Sequence, residues 1–373
     1  MPKNANRRSK TADMHLYVDI SAHGLGHLAI VAPVLNRLAE ITPNLRLTVA
    51  SGLPATRLRE RIAPPFRHLA EASDFGFVMH DATRIDLGAS ASAYREAHRD
   101  WPDRVADAAQ KLRILQPDVV LTSVAYLPLA AAQQAGIPAL ALCSLHWGDL
   151  FRHCFGSEPW SGTIAAEIDA AYAGCQAFLR TTPGMPMPTL PRVVDIGVIA
   201  ARGQRQPLGL GQTRCALVAM GGIQHRLPVE DWPIDSGWRW LVPEAWQVCH
   251  PDAVAYDRLN LSFTDLLCSV DAVITKPGYG TFTEATCNGT PILYQRREDW
   301  PEQDCLIDWL ADNGNAREIA VDRLHQGDFL ADLDALRTAP VRPPPRIDGP
   351  QRATQAILAA ARAQSVMASA AGA

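Results

Sequence analysis

A buried strand, a glycine-rich loop and an amphipathic helix follow one another near the start of this chain, and that succession restricts its fold more than any other feature. The strand is Leu16-Tyr17-Val18-Asp19-Ile20 and the loop is Ser21-Ala22-His23-Gly24-Leu25-Gly26-His27. The helix carries apolar residues Ile30, Val31, Val34, Leu35 and Leu38 at helical spacing. A second strand over 45–50 then completes a strand–helix–strand unit, the building block of a parallel sheet. The rhythm continues through a helix ending near Leu115, a strand over 118–122, a helix over 127–135 capped by Gly136, and a strand over 137–143. Residues 75–94 are weakly patterned and read as a long loop over a cleft.

Prolines and glycines cluster at 183–191 and again at 202–211, which places an interdomain linker at 200–212. Beyond it the pattern restarts. Strands are expected over 215–220, 238–242, 271–275 and 291–294, and helices over 263–269, 281–288 and 302–313. At 373 residues the chain suits two domains. The expected fold class is α/β, with two doubly wound Rossmann-like domains facing a cleft. The divisions are a disordered tail over 1–13, an N-terminal domain over 14–203, a C-terminal domain over 204–350, and a C-terminal helix and tail over 351–373. Ligands of such folds bind beyond the carboxyl ends of the strands.

Composition removes several function classes. A net charge of −4 gives no bulk drive toward nucleic acid or an anionic membrane. A peripheral membrane contact needs only a small patch and stays open. The eight cysteines form no CxxC pair, so they read as buried thiols of a reducing compartment and offer no zinc spacing. No apolar run reaches the roughly 18 residues of a membrane span. Residues 1–13 are polar and basic without an apolar core, unlike a signal peptide. These features together predict a cytoplasmic protein. Gly24, Gly26 and Ala29 satisfy the dinucleotide fingerprint, but the second strand ends Val49-Ala50-Ser51-Gly52 without the acid that would hold an adenosine ribose. No cofactor is therefore expected.

The strongest functional signal is Lys276-Pro277-Gly278-Tyr279-Gly280-Thr281-Phe282-Thr283-Glu284, between a buried strand and a helix. Gly278 and Gly280 let the backbone turn and approach a ligand closely. Thr281 opens the helix, whose free N–H groups suit phosphate. Glu284, one turn further, can accept two hydrogen bonds from ribose hydroxyls. The alternative is a plain strand-to-helix turn with Glu284 as a solvated helix residue. Asp299, Glu302 and Gln303 occupy the next loop-to-helix junction and suit sugar hydroxyls. His225 and Arg226, beside Gly221 and Gly222, are placed to neutralise a diphosphate, although Arg226 reads equally as a solvated surface residue. Asp332-Leu333-Asp334 is the one DxD sequence; it lies in a helical stretch far from both glycine loops and reads as a solvated face, not a metal site.

The stretch 271–303 resembles the donor-binding signature of GT-B glycosyltransferases. In more detail it is similar to the glycosyltransferase-like N-terminal domain of plant L-arabinokinases, through Ser269-Val270-Asp271, Gly278-Tyr279-Gly280-Thr281, Glu284-Ala285, and Arg296-Arg297 followed by Glu302. The resemblance runs over most of 14–325. It implies ribose binding by Glu284 and diphosphate binding at Gly280-Thr281; the glycine loops add Gly222 and Gly278 as nucleotide-side candidates. The stretch carries no kinase half, so no sugar-kinase activity is implied.

On the N-terminal side the histidines carry the chemistry. A histidine at a helix N-terminus has its cationic form disfavoured and can accept a proton near neutral pH. His27 is the first candidate base and His23 the second; a loop-bracing histidine is the plainer alternative. His27 also resembles the glycine-loop histidine of inverting GT-B enzymes such as the lipid II-forming (family 28) transferases. Some relatives carry an aspartate at the fourth-strand edge that orients the base. This chain has Thr122-Ser123 there, and Asp149 is a candidate substitute. His146 and Trp147 read as packing residues or, for Trp147, a surface for a sugar.

The resulting expectation is a metal-independent hexosyltransferase that moves a sugar from a nucleoside diphosphate donor, UDP-linked, to an unknown hydroxyl acceptor, with inversion. The acceptor side is 14–203 and the donor side 204–350. Two rivals stand beside it. One is a non-catalytic nucleotide-sugar-binding or regulatory module, favoured by the missing acid at Ser123. The other is a nucleotide-sugar 2-epimerase, disfavoured because that chemistry wants several carboxylates where this loop offers histidines.

Overall fold

The computed structural model describes residues 14–340 and 342–371; the tail expected over 1–13 lies outside the described residues. The first sheet holds β1 (Met14–Ile20), β2 (Leu45–Ala50), β3 (Arg67–Leu69), β4 (Val119–Ser123), β5 (Ala139–Cys143), β6 (Ala177–Thr181) and β7 (Val193–Gly197). Their spatial order is β3-β2-β1-β4-β5-β6-β7, and every adjacent pair is parallel. The second sheet holds β8 (Arg214–Ala219), β9 (Trp238–Val242), β10 (Ala253–Ala255), β11 (Ala272–Thr275), β12 (Ile292–Tyr294) and β13 (Ala316–Glu318). Its order is β10-β9-β8-β11-β12-β13, again all parallel. Parallel sheets are covered by helices on both faces, so their central strands are buried along their length. Strands β4 and β5 show this, being buried at every residue.

Strand order reverses between β1 and β4 in the first sheet and between β8 and β11 in the second. A crevice opens beyond the strand ends at such a reversal. Three loops leave there: 21–25 after β1, 220–225 after β8 and 276–278 after β11. The helix after the first loop, Gly26–Ile41, buries Leu28, Ile30, Val31, Val34, Leu35 and Leu38 against the sheet, a stripe at helical spacing.

The stretch 75–94 is only partly a loop. It contains an isolated Met79–Ile85 bridge and then the helix Leu87–His98, whose first turn is capped by the Asp86 carboxylate accepting from the Ala89 N–H at 2.8 Å. Gly88, Ser90 and Ser92 dilute the apolar pattern of that helix. The helix after β11 begins at Tyr279, two residues before Thr281. Cys143, Cys175, Cys215 and Cys287 are buried, Cys154, Cys268 and Cys305 half-buried and Cys249 exposed; all are free thiols. Asp332 is not on a solvated face: it is buried between Arg317 at 3.0 Å and Arg323 at 2.9 Å, while Asp334 pairs with Arg214 at the surface. Among the described residues no helix is long and apolar enough to cross a membrane.

The final helix, Gly349–Ala371, returns to the first sheet. It packs against helix Gly26–Ile41 and against β4 and β7, burying Ala353, Ile357 and Ala360. Its entry is pinned by the Gly349 N–H donating to the Val198 carbonyl at 2.9 Å.

Candidate functional site

His27 sits in the first turn of helix Gly26–Ile41, where the glycine loop delivers it to the crevice. It is buried, and burial pushes its imidazole down to about 4. The ring is therefore neutral at pH 7, through desolvation of the cation. Its Nδ1 lies 3.4 Å from Ser123 Oγ at the end of β4 and 3.7 Å from Cys143 Sγ at the end of β5. A serine hydroxyl thus stands at the strand edge where an orienting acid was sought. Asp149 turns elsewhere, 2.9 Å from His146 Nε2 and 3.8 Å from Arg152 Nη1.

His23 is held between two tryptophans. Trp300 of the second domain stacks on it at 5.7 Å between centroids, and Trp147 meets it edge-on at 5.3 Å. Trp147 is fully buried, with its indole N–H donating to Asp74 at 2.7 Å, so packing is its role in this structure. Burial lowers the His23 imidazole well below its usual range, with His27, Arg297 and Lys276 adding positive potential. Its Nε2 is buried and has no hydrogen-bond partner.

Across the crevice the second domain presents two basic side chains that the sequence reading gave no role, Arg297 and Lys276, beside His225, to which it did. Arg297 is 7% exposed, its Nε and Nη2 atoms are buried without partners, and its guanidinium lies 3.7 Å from the Trp300 ring centroid. Burial lowers it to about 10, opposed by Glu302 and Asp81. Lys276 is lowered to about 7, first by burial and next by Arg297, with Glu302 opposing. His225 lies 3.4 Å from Asp81 through Nδ1, and its Nε2 is buried and unpartnered. Buried donors without partners are rare in folded proteins and mark places where a ligand supplies the acceptor. The signal available in the sequence was Arg296-Arg297 beside the glutamate at 302. Only the fold shows that Arg297 turns inward while Arg296 pairs with Asp304 and Glu318 at the surface.

The glycines bring the two domains into contact. A side-chain carbon at Gly280 would lie 2.8 Å from the Ala29 Cβ, and one at Gly222 would lie 2.8 Å from the Leu25 Cγ. Only glycine allows helix Tyr279–Asn288 and the loop after β8 to approach the first domain this closely. Gly278 caps the helix in an extended conformation, with Lys276 folded over it. Thr281 is half-buried in the first turn. Glu284 is buried and paired with Arg61 of the first domain, neither solvated nor free. Glu302, at the start of helix Glu302–Asn313, accepts from Ser144 Oγ at 2.5 Å and from Trp300 Nε1 at 3.0 Å. Gln303 uses both ends of its amide on the Arg297 backbone, at 3.0 and 3.1 Å, and so fixes the inward turn of Arg297. Asp299 is exposed and pairs with His153 at 2.6 Å. Arg226 points outward to Glu230 and the Trp246 carbonyl. The structure thus gathers His23, His27, Gly222, Gly278, Gly280, Thr281 and Glu302 at one crevice, with Gln303 behind it and Asp299 and Arg226 at its outside.

No family model matches the chain. The L-arabinokinase of Arabidopsis thaliana is 24% identical over 302 residues, covering 78% of this chain; the chain spans 29% of that protein's length. Among solved structures, a calicheamicin glycosyltransferase superposes with a TM-score of 0.61 at 15% identity, covering 97% of this chain and 99% of the other. A UDP-glucosyltransferase from Polygonum tinctorium superposes with a TM-score of 0.55 at 15% identity, covering 96% and 95%. Two parallel doubly wound sheets meeting at their carboxyl edges, superposable end to end on these enzymes, give the chain the GT-B fold.

Proposed function

We propose that this chain is a glycosyltransferase that passes a sugar from a nucleoside diphosphate donor, UDP-linked, to a hydroxyl acceptor. The nucleotide is held by 204–350 and the acceptor approaches along 14–203. The observation that carries this reading is the pair of inward-facing, unpartnered guanidinium donors of Arg297, with the Lys276 ammonium group beside them, opposite a neutral His27. A diphosphate supplies the acceptor oxygens this set lacks. As the bond from the anomeric carbon to the diphosphate breaks, the charge developing on the leaving oxygen meets fixed donors. His27 holds its Nδ1 toward Ser123 and takes the acceptor's proton on Nε2 while the acceptor oxygen bonds to the anomeric carbon. Attack from the side opposite the leaving group inverts that carbon. Lys276 and Arg297 fill the charge-stabilising role without a metal ion, so turnover is expected to persist in EDTA.

The test is a thermal-shift series with UDP, GDP, ADP and dTDP and their sugars, followed by assay of nucleoside diphosphate release. A donor raises the melting temperature by mass action. Stabilisation accompanied by release supports transfer. Stabilisation without release under any acceptor points to a nucleotide-sugar-binding module. No stabilisation by any nucleotide removes the proposal.

A further inference from the structure

Arg61 belongs to the first domain, on the turn after helix Ala55–Arg59, yet its side chain ends in the second. Its Nη1 lies 2.7 Å from Glu284 Oε1 and its Nη2 2.9 Å from Glu284 Oε2, a two-point fork. The Glu284 side chain is 1% exposed. The same guanidinium lies 5.7 Å from the centroid of the Phe263 ring, also in the second domain. A planar cation therefore fills a place bounded by an aromatic ring and a carboxylate. Those are the two groups a nucleoside uses, a ring face for its base and a carboxylate for its vicinal hydroxyls.

The two occupants cannot share that place, because the guanidinium covers both oxygens of a carboxylate that is otherwise enclosed by protein. Simple loss of Arg61 would strand a buried carboxylate, which is strongly unfavourable. An incoming ribose must therefore replace the guanidinium as it leaves. The turn carrying Arg61 is braced within the first domain. Its backbone N–H donates to the Leu58 carbonyl at 3.2 Å, its carbonyl accepts from Asn36 Nδ2 at 2.9 Å, and Asn36 Oδ1 accepts from the Ala63 N–H at 2.9 Å. The backbone at residue 61 is thus fixed to the first domain, and the side chain alone reaches the second.

Resting on the donor reading above, we propose that Arg61 is an affinity-determining residue: it competes with the donor's nucleoside for Glu284, and donor binding is a guanidinium-for-ribose exchange at that carboxylate. The test is calorimetric titration of the full chain with UDP, GDP, ADP and dTDP separately. The variants are wild type, Arg61→Met, which keeps the aliphatic stem against Phe263, and Arg61→Lys, which keeps the charge but not the fork. Arg61→Met is expected to bind its nucleotide about tenfold more tightly than wild type, with Arg61→Lys between them. Arg61→Met is also expected to melt lower than wild type without nucleotide, the opposite direction from its affinity. If wild type binds a nucleotide and neither variant binds it more tightly, the exchange is overturned while the donor reading stands. If no variant binds any of the four, both fall together. Should Arg61→Met fail to fold, Arg61→Lys alone decides, by binding more tightly or not.

Discussion

Arg297→Met separates what this residue does for the fold from what it does for a ligand. Burial lowers the guanidinium from its usual range to about 10. At roughly 1.4 kcal/mol per pH unit, keeping the charge in that setting costs roughly 3 kcal/mol. Part of this is returned by the Trp300 ring, whose centroid lies 3.7 Å from the guanidinium carbon. A desolvated cation–π contact is worth about 2 kcal/mol, and methionine recovers about 1 kcal/mol of it through its sulfur. The balance favours the variant by roughly 2 kcal/mol, a rise of a few degrees in melting temperature. Gln303 grips the backbone of residue 297, not its side chain, so the loop is expected to keep its course. Nucleotide affinity is expected to move the other way. Loss of one or more charged hydrogen bonds, at roughly 1.5–3 kcal/mol each, predicts a tenfold to hundredfold weaker nucleotide. The paired assay is thermal unfolding without ligand and calorimetric titration with the nucleotide that stabilises wild type. A variant that melts lower and binds as wild type would refute the reasoning, because Arg297 would then be a structural cation and not one awaiting an anion.

His27→Ala is expected to leave donor binding within a few-fold of wild type while turnover falls roughly 10²–10⁴-fold, and His23→Ala to have the smaller effect, as read by product release and titration. Because a base must be unprotonated and His27 is lowered to about 4, turnover should show no His27-dependent loss between pH 6 and 8 and should fall only as pH drops toward 4. Lys276 acts in the opposite sense. Its cation is present below about 7 and lost above it, so nucleotide affinity should be level below pH 7 and fall by up to about tenfold per unit above it; a Lys276→Met variant with the same pH profile would refute this.

The repeated strand–loop–helix pattern made the two-sheet architecture legible, because a strand such as β5, covered on both faces, writes its burial as an unbroken apolar run. Edge strands escaped for the same physical reason reversed. β3 and β13 have three residues each, are partly exposed, and carry Arg67, His68, Arg317 and Glu318. The loop glycines and both histidines could be read because local geometry dictates them. Arg61 could not. Its partner is 223 residues away, and nothing near residue 61 signals that it leaves its own domain. Glu284 shows the converse: the carboxylate was visible, but what it holds depends on a side chain from the other half. For Arg297 and Arg296 the residue types are identical and adjacent. Their opposite fates follow from tertiary contacts: Arg296 pairs with Asp304 and Glu318 at the surface, while the amide of Gln303 clamps the Arg297 backbone.

The returning helix Gly349–Ala371 has a consequence for how the protein is made. Translation proceeds from the N-terminal side, and the second sheet is complete by residue 318, some thirty residues before this helix begins. The first domain meanwhile waits, with the surface later covered by Ala353, Ile357 and Ala360 still open to water. The domain begun first is therefore the one sealed last. Arrival of this helix, not emergence of its own seven strands, completes its core. A chain interrupted anywhere between 214 and 349 leaves the ribosome with an uncovered apolar patch on its N-terminal half, which makes it a substrate for chaperones and proteases.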